Sequence, residues 1–108
     1  MRGMRKSGKW MVLLDDRILE LLAEEEDRYM APSEIAEDSR IHYTSQHIGR
    51  RCKKLAEHGL LLSVGRGVYT ITDEGRAYLR GEYNAGETND VEVSEDNNSS
   101  EAEETNGA

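Results

Sequence analysis

The chain has 108 residues, with 22 Asp and Glu against 14 Lys and Arg and a single cysteine. That length allows one domain at most. The lone Cys52 excludes an internal disulfide, and no apolar run approaches the ~18 residues of a membrane span. The formal charge of −8 hides a segregation: nine acidic residues and no Lys or Arg follow Arg80, so residues 1–81 carry +1. Within that body, residues 15–38 hold ten acidic residues against Arg17 and Arg28. Residues 40–66 hold Arg40, Arg50, Arg51, Lys53, Lys54 and Arg66 against Glu57 alone. A chain polarised in this way is suited to a polyanion on one face.

Residues 1–9 read as a flexible basic arm, with a minor-groove or phosphate-contacting extension as its functional form. WMVLL is too short for a signal-peptide apolar region and is followed by Asp15, so a soluble, cytoplasmic protein is expected. Asp15 or Asp16 is expected to cap a first helix that buries Ile18, Leu19, Leu22 and Ala23. Glu24–Asp27 closes that helix as a solvated acidic end. Pro32 opens a short second helix over about residues 33–38, burying Ile35 and Ala36, and Ser39–His42 forms a turn.

A third helix spans residues 43–58. Ile48, Cys52 and Leu55 recur at helical spacing as its inward face, with Thr44 and Ala56 beside them. At about 100° per residue, Tyr43, Gln46, Arg50 and Lys53 fall on the opposite face, flanked by His47 and Lys54. Arg51 lies about 60° from the inward face and is as well placed to tie the helix to neighbouring backbone as to reach outward. Gly59 supplies a left-handed exit. Leu60–Val64 and Val68–Thr72 read as a hairpin around Gly65-Arg66-Gly67, with Leu62, Val64, Tyr69 and Ile71 on the inner face. Thr72 caps a last helix from Asp73 to about Gly81. Residues 83–108 form a disordered acidic tail.

The expected fold is therefore mainly α with a small β-hairpin, in the order α-α-α-β-β-α: a winged helix-turn-helix over residues 10–82. Its third helix has side chains for base edges in its first turns and cations for phosphates in its middle. The candidate DNA-binding residues are Tyr43, Thr44, Ser45, Gln46, His47, Arg50, Arg51, Lys53, Lys54 and Arg66. No aromatic stacking platform accompanies the cations, which argues against single-stranded RNA. His42, His47 and Cys52 are five residues apart, turn by roughly 140° per step and diverge, so no metal site is expected. No nucleophile–base signature points to an enzyme, and no cofactor or small-molecule ligand is expected. A protein-interaction module built on the acidic helices and tail is the competing reading.

The segments WMVLLDDRILELLAEE, SEIAED, RRCKKLAEHGLL and GRGVYTITDEGRAYLRGE resemble the small winged-helix proteins of haloarchaea related to the phage phi-H repressor. The likeness runs from Trp10 to about Glu82, and a likeness to MarR-like regulators is more distant. It implies a double-stranded-DNA-binding transcriptional regulator, with residues 43–58 as recognition helix and Arg66 at the wing tip. Arg outnumbers Lys ten to four, in keeping with a halophilic source. A homodimer is expected, because one small module reads few base pairs; Trp10, Met11, Tyr78, Leu79 and Tyr83 are candidates for its seam.

Overall fold

The computed structural model of the chain describes residues 4–87. The helices are α1 (Leu13–Ala23), α2 (Pro32–Ala36), α3 (Ser45–Glu57) and α4 (Asp73–Leu79), with strands β1 (Leu61–Ser63) and β2 (Tyr69–Ile71) between α3 and α4. This is the winged helix-turn-helix order read from the sequence. Residues 88–108, most of the expected acidic tail, lie outside the described residues.

Helix α1 starts ahead of both expected caps: its N-cap, Val12, lies three residues before Asp15 and four before Asp16. Asp15, at the third helical position, accepts the Val12 N–H at 3.0 Å. Helix α2 begins in the same way, with Glu34 accepting the Ala31 N–H at 2.8 Å and Pro32 in the first turn. A carboxylate three residues into a helix can reach back to an orphan N–H, so no capping side chain is needed in front of it. Thr44 and Thr72 are conventional caps: their Oγ1 atoms accept the His47 and Gly75 N–H groups. Thr44 is exposed rather than part of the inward face.

Ile18, Leu19 and Leu22 of α1, Ile35 of α2, and Ile48, Cys52 and Leu55 of α3 are fully buried and form one core with Leu60, Leu61, Ile71 and Tyr78. Gly75 lets α4 lie against the base of the hairpin. A Cβ there would stand 2.4 Å from the Leu60 carbonyl oxygen and 2.6 Å from Ile71 Cγ1, closer than packed atoms approach.

The hairpin pairs Leu61 with Ile71, Leu62 with Thr70 and Ser63 with Tyr69. This corrects the inner face expected for β1. Leu61 is buried, whereas Leu62 and Val64 are 54% and 46% exposed. Side chains alternate along a strand, so a shift of one residue exchanges the faces. A further strand position appears on the far edge of β2: Met30 and Tyr69 exchange both backbone hydrogen bonds, at 3.0 and 2.9 Å. Thr70 Oγ1 donates to the Arg28 carbonyl at 2.8 Å. The two-stranded hairpin, marginal by itself, is thereby joined to the α1–α2 connection.

The expected flexible arm also requires correction over residues 4–9. Arg5 Nη1 reaches Glu20 at 2.6 Å and Asp16 at 3.3 Å, and its Nε donates to the Leu79 carbonyl. Lys6 pairs with Asn84 as a parallel bridge, and the Ala85 N–H donates to the Lys6 carbonyl at 2.9 Å. Ala85, placed in the tail by the sequence reading, is fully buried and its carbonyl accepts Trp10 Nε1–H at 3.2 Å. The two ends of the domain close on each other, which residue-by-residue polarity does not reveal.

At the centre of that closure the Tyr78 hydroxyl donates to Asp16 Oδ1 at 2.6 Å and accepts from Ser7 Oγ at 2.8 Å. Burial, then the bond to the Asp16 carboxylate, pushes the Tyr78 phenol up to about 12. Burial, with the Asp15 charge, pushes the Cys52 thiol up to about 12. In an unfolded chain these groups titrate near ~10 and ~8.5. Both therefore contribute stability that is complete below those unfolded values and lost as pH rises through the folded ones. Urea unfolding followed from pH 8 to 12 is expected to show stability falling from about pH 9 upward. Tyr78→Phe should start lower, having lost the Asp16 bond, and decline less steeply.

Candidate nucleic-acid interface

The exposed face of α3 carries Ser45, Gln46, Arg50 and Lys53, with Tyr43 and Thr44 in front of the helix and His47 and Lys54 half-buried at its margins. The inward face expected for α3 holds: Ile48, Cys52 and Leu55 have no exposed surface. Tyr43 and His47 stack with ring centroids 5.1 Å apart and planes 29° from parallel, and Arg50 Nη2 lies 3.5 Å from His47 Nδ1. The three side chains form one row along the outward face, as spacings of four and three residues on a helix require.

Arg51 does not belong to this row. Its Nε and Nη2 donate to Asp15 Oδ1 and Oδ2 at 2.8 and 2.7 Å, and Nη2 also donates to the Trp10 carbonyl at 3.0 Å. Asp15 is fully buried and the Arg51 side chain is 20% exposed. This two-pronged geometry matches the fork of a guanidinium to a carboxylate and takes up the donors a phosphate would need. Arg51 is thus a structural tie between α1 and α3, which corrects its place among the candidate contacts.

Arg40 leaves the basic cluster as well. It donates through its backbone N–H, Nε and Nη2 to Asp38 and through its guanidinium to Glu24. The Arg40 hydrogen bonds hold the Asp38 carboxyl well below the usual carboxylate range. Of the six basic residues between 40 and 66, Arg50, Lys53, Lys54 and Arg66 have no carboxylate at ion-pair distance among the described residues.

Arg66 stands at the hairpin tip. Gly65, Arg66 and Gly67 have φ of 99°, 57° and 71°, a run of left-handed backbone. Two glycines adopt this readily, but a side chain at the middle position is disfavoured by roughly 1–2 kcal/mol. Arg66 is exposed, as are its neighbours in the wing from Leu62 to Gly67.

Among the described residues no group of three or more His, Cys, Asp or Glu is placed to hold a metal ion, and no helix is long and apolar enough to cross a membrane. Of the residues suggested for a dimer seam, Tyr78 is fully buried, Trp10 stacks on His58 at 3.7 Å, and Met11, Leu79 and Tyr83 pack partly buried against the core.

A helix-turn-helix whose second helix presents polar and cationic side chains, followed by a hairpin with a cationic tip, defines a DNA-binding winged-helix module. Comparison with protein families agrees. The chain belongs to the winged helix-turn-helix phage repressor family, whose model matches residues 4–92, and is a member of a family of DNA-binding regulators. Among solved structures it is similar to the PhiH1 repressor-like protein from Haloarcula marismortui. The two share 46% sequence identity and a TM-score of 0.75, over 80% of this chain and 96% of that one. No curated protein sequence matches the chain.

The separation of Arg50 from Arg51 gives a direct test. Arg51→Ala leaves a buried carboxylate without its cation and is expected to lower unfolding stability by about 3 kcal/mol. Arg50→Ala, on the exposed face, is expected to stay within about 0.5 kcal/mol of the parent chain. Denaturation of both variants in the same buffer checks the assignment.

Proposed function

We propose that the protein is a sequence-specific double-stranded-DNA-binding transcriptional repressor that acts in the cytoplasm as a homodimer. Helix α3 enters the major groove and the wing follows the phosphate backbone or the adjacent minor groove. The observation that carries the reading is the exposed row on α3, unpaired by carboxylates, followed in the chain by a cationic wing tip. Family membership supports it, and the solved relative is itself described as repressor-like.

The residues divide by chemistry. Gln46 and Ser45, in the first turn of α3, offer paired donors and acceptors for base edges. Tyr43 packs on His47 and presents the remaining edge of its ring and its hydroxyl to the groove. Arg50 is suited to the O6 and N7 of a guanine or to a phosphate, Lys53 and Lys54 to phosphates farther along the helix, and Arg66 to the backbone beside the wing. Thr44 contributes mainly by capping α3, which fixes where the reading face begins. The tolerated left-handed backbone at Arg66 fits a tip retained for contact rather than for folding.

Few cations remain for this work. Each phosphate neutralised contributes a slope of about −0.9 in the dependence of log affinity on log salt, so four per chain provide little at molar salt. Base contacts then carry most of the affinity. Selection of genomic fragments by the full-length chain in molar KCl is expected to recover a shared, near-palindromic site. Uniform recovery or none would remove the reading. On the recovered site, Gln46→Ala is expected to lose more affinity than Arg50→Ala in molar KCl, with the order reversed at low salt; titration by fluorescence anisotropy measures both.

A further inference from the structure

Arg5, Arg17, Arg28, Arg40, Arg51 and Arg80 each pair with a carboxylate of the domain. Arg50, Lys53 and Lys54 of α3 have none at ion-pair distance among the described residues. The chain that follows the domain has the opposite character: residues 88–108 hold seven Asp and Glu and no Lys or Arg. The fold places the start of this acidic segment at the end of that helix. The described chain ends in a short turn, Ala85–Glu87. Trp10 Nε1 donates to the Ala85 carbonyl at 3.2 Å, and the Trp10 ring stacks at 3.7 Å on His58, the C-cap of α3. The acidic segment therefore leaves the domain one indole ring away from α3. Residues four apart on a helix are neighbours, so His58, Lys54, Arg50 and Gln46 follow one another from that exit to the first turn of α3.

We infer that the acidic segment, residues 88–108, lies along the cationic face of α3 when no DNA is bound and competes with DNA for it. The competition rests on the DNA-binding reading above, while the contact itself is independent of it. The reach is sufficient. Helix α3 has 13 residues and is about 20 Å long. Glu95, eight residues beyond Glu87, extends up to ~26–29 Å from the exit turn, and Asp90 and Glu92 extend up to ~10–18 Å. The chemistry also fits. Val91 and Val93 are the segment's only large apolar side chains, so it has little to bury and a row of carboxylates to offer. Lys6 and Lys9 are exposed near the exit as well, but two cations answer only two of the seven carboxylates.

An exposed ion pair contributes at most about fivefold to an equilibrium constant, so three pairs at roughly twofold each favour the covered helix by about eightfold. Such attraction extends over about 10 Å at 0.1 M salt and about 3 Å at 1 M. Lower salt strengthens the hold of phosphates and of the acidic segment on the same cations together. The segment thereby flattens the salt dependence of DNA affinity: it restrains binding at low salt and has little effect at molar salt.

Two measurements on the full-length chain separate the contact from its effect. Zero-length carbodiimide coupling without DNA, at about 0.1 M KCl, is expected to join Lys53 or Lys54 to carboxylates of residues 90–104 within one chain. These links should fall away in molar KCl and when a short mixed-sequence duplex is added. Links confined to Lys6 and Lys9, links only between chains, or links that persist while the duplex is bound overturn the inference. The second measurement neutralises the segment: Glu95→Gln, Asp96→Asn, Glu101→Gln, Glu103→Gln and Glu104→Gln in one chain, all beyond residues 4–92 that the family model matches. At about 0.1 M KCl this variant is expected to bind the duplex roughly five- to tenfold more tightly than the parent, with the gap closing as KCl is raised. Equal affinity at low salt overturns the inference. If the parent links as expected but neither chain binds any duplex, the contact is supported and only the DNA-binding reading falls.

Discussion

The Asp15–Arg51 pair is the constraint on which the arrangement of the domain depends. One carboxylate, fully buried, accepts from the guanidinium through both oxygens and from the Val12 backbone N–H. The same guanidinium holds the Trp10 carbonyl. Three stretches of chain thus meet at one pair of charges: the entry to α1, its first turn, and the middle of α3. A buried ion pair adds little net stability over an apolar pair of the same shape, but it tolerates few alternative geometries. A turn of α3 by one residue rotates its side chains by about 100° and would carry Arg51 away from Asp15. The pair therefore sets the rotation of the helix, and with it the identity of the side chains that face outward. Tyr43, Gln46 and Arg50 are presented because Arg51 is held in.

The same logic governs the remaining charges. The body is close to neutral, yet its arginines are not spread evenly over the surface. Arg28 and Arg76 donate to the Leu21, Ala23 and Glu25 carbonyls at the C-terminal end of α1, where orphan acceptors and the helix dipole favour cations. Arg40 ties the turn before α3 to Glu24. Arg5 ties the N-terminal segment to Glu20 and Asp16. The acidic cluster at residues 24–27 is thus partly a set of partners for arginines distant in sequence. Between residues 40 and 66, what remains unpaired by carboxylates is a short cationic track on α3 and the wing tip.

Small size explains why the ends of the domain are drawn in. A domain of this length buries a limited fraction of its surface, and each additional covered residue matters. The segment from Arg5 to Trp10 and the turn at Ala85 close over the end of the domain that holds Tyr78, and Ser7 gives the Tyr78 hydroxyl a second partner beside Asp16. Val12 and Leu13, at the start of α1 beside this closure, stay 50% and 68% exposed.

Local and periodic features were readable from the chain alone. The inward stripes of α1 and α3, proline in the first turn of α2, the threonine cap on α4, and glycines at Gly59 and around Arg66 all act within a few residues. Period and turn chemistry therefore sufficed to order the elements and to locate the outward face of α3. The tertiary structure decided what depends on partners distant in sequence. Arg51 and Arg50 are adjacent and chemically identical, and only the position of Asp15, 36 residues earlier, makes one a structural tie and leaves the other exposed. Likewise Leu61 rather than Leu62 faces the core because Met30 and Arg28 fix the sheet from its far edge. Residues 4–9 and 83–87 become part of the domain because each supplies the other's backbone partner. Periodicity reports which face of an element is apolar; only packing determines which ions find each other and which ends meet.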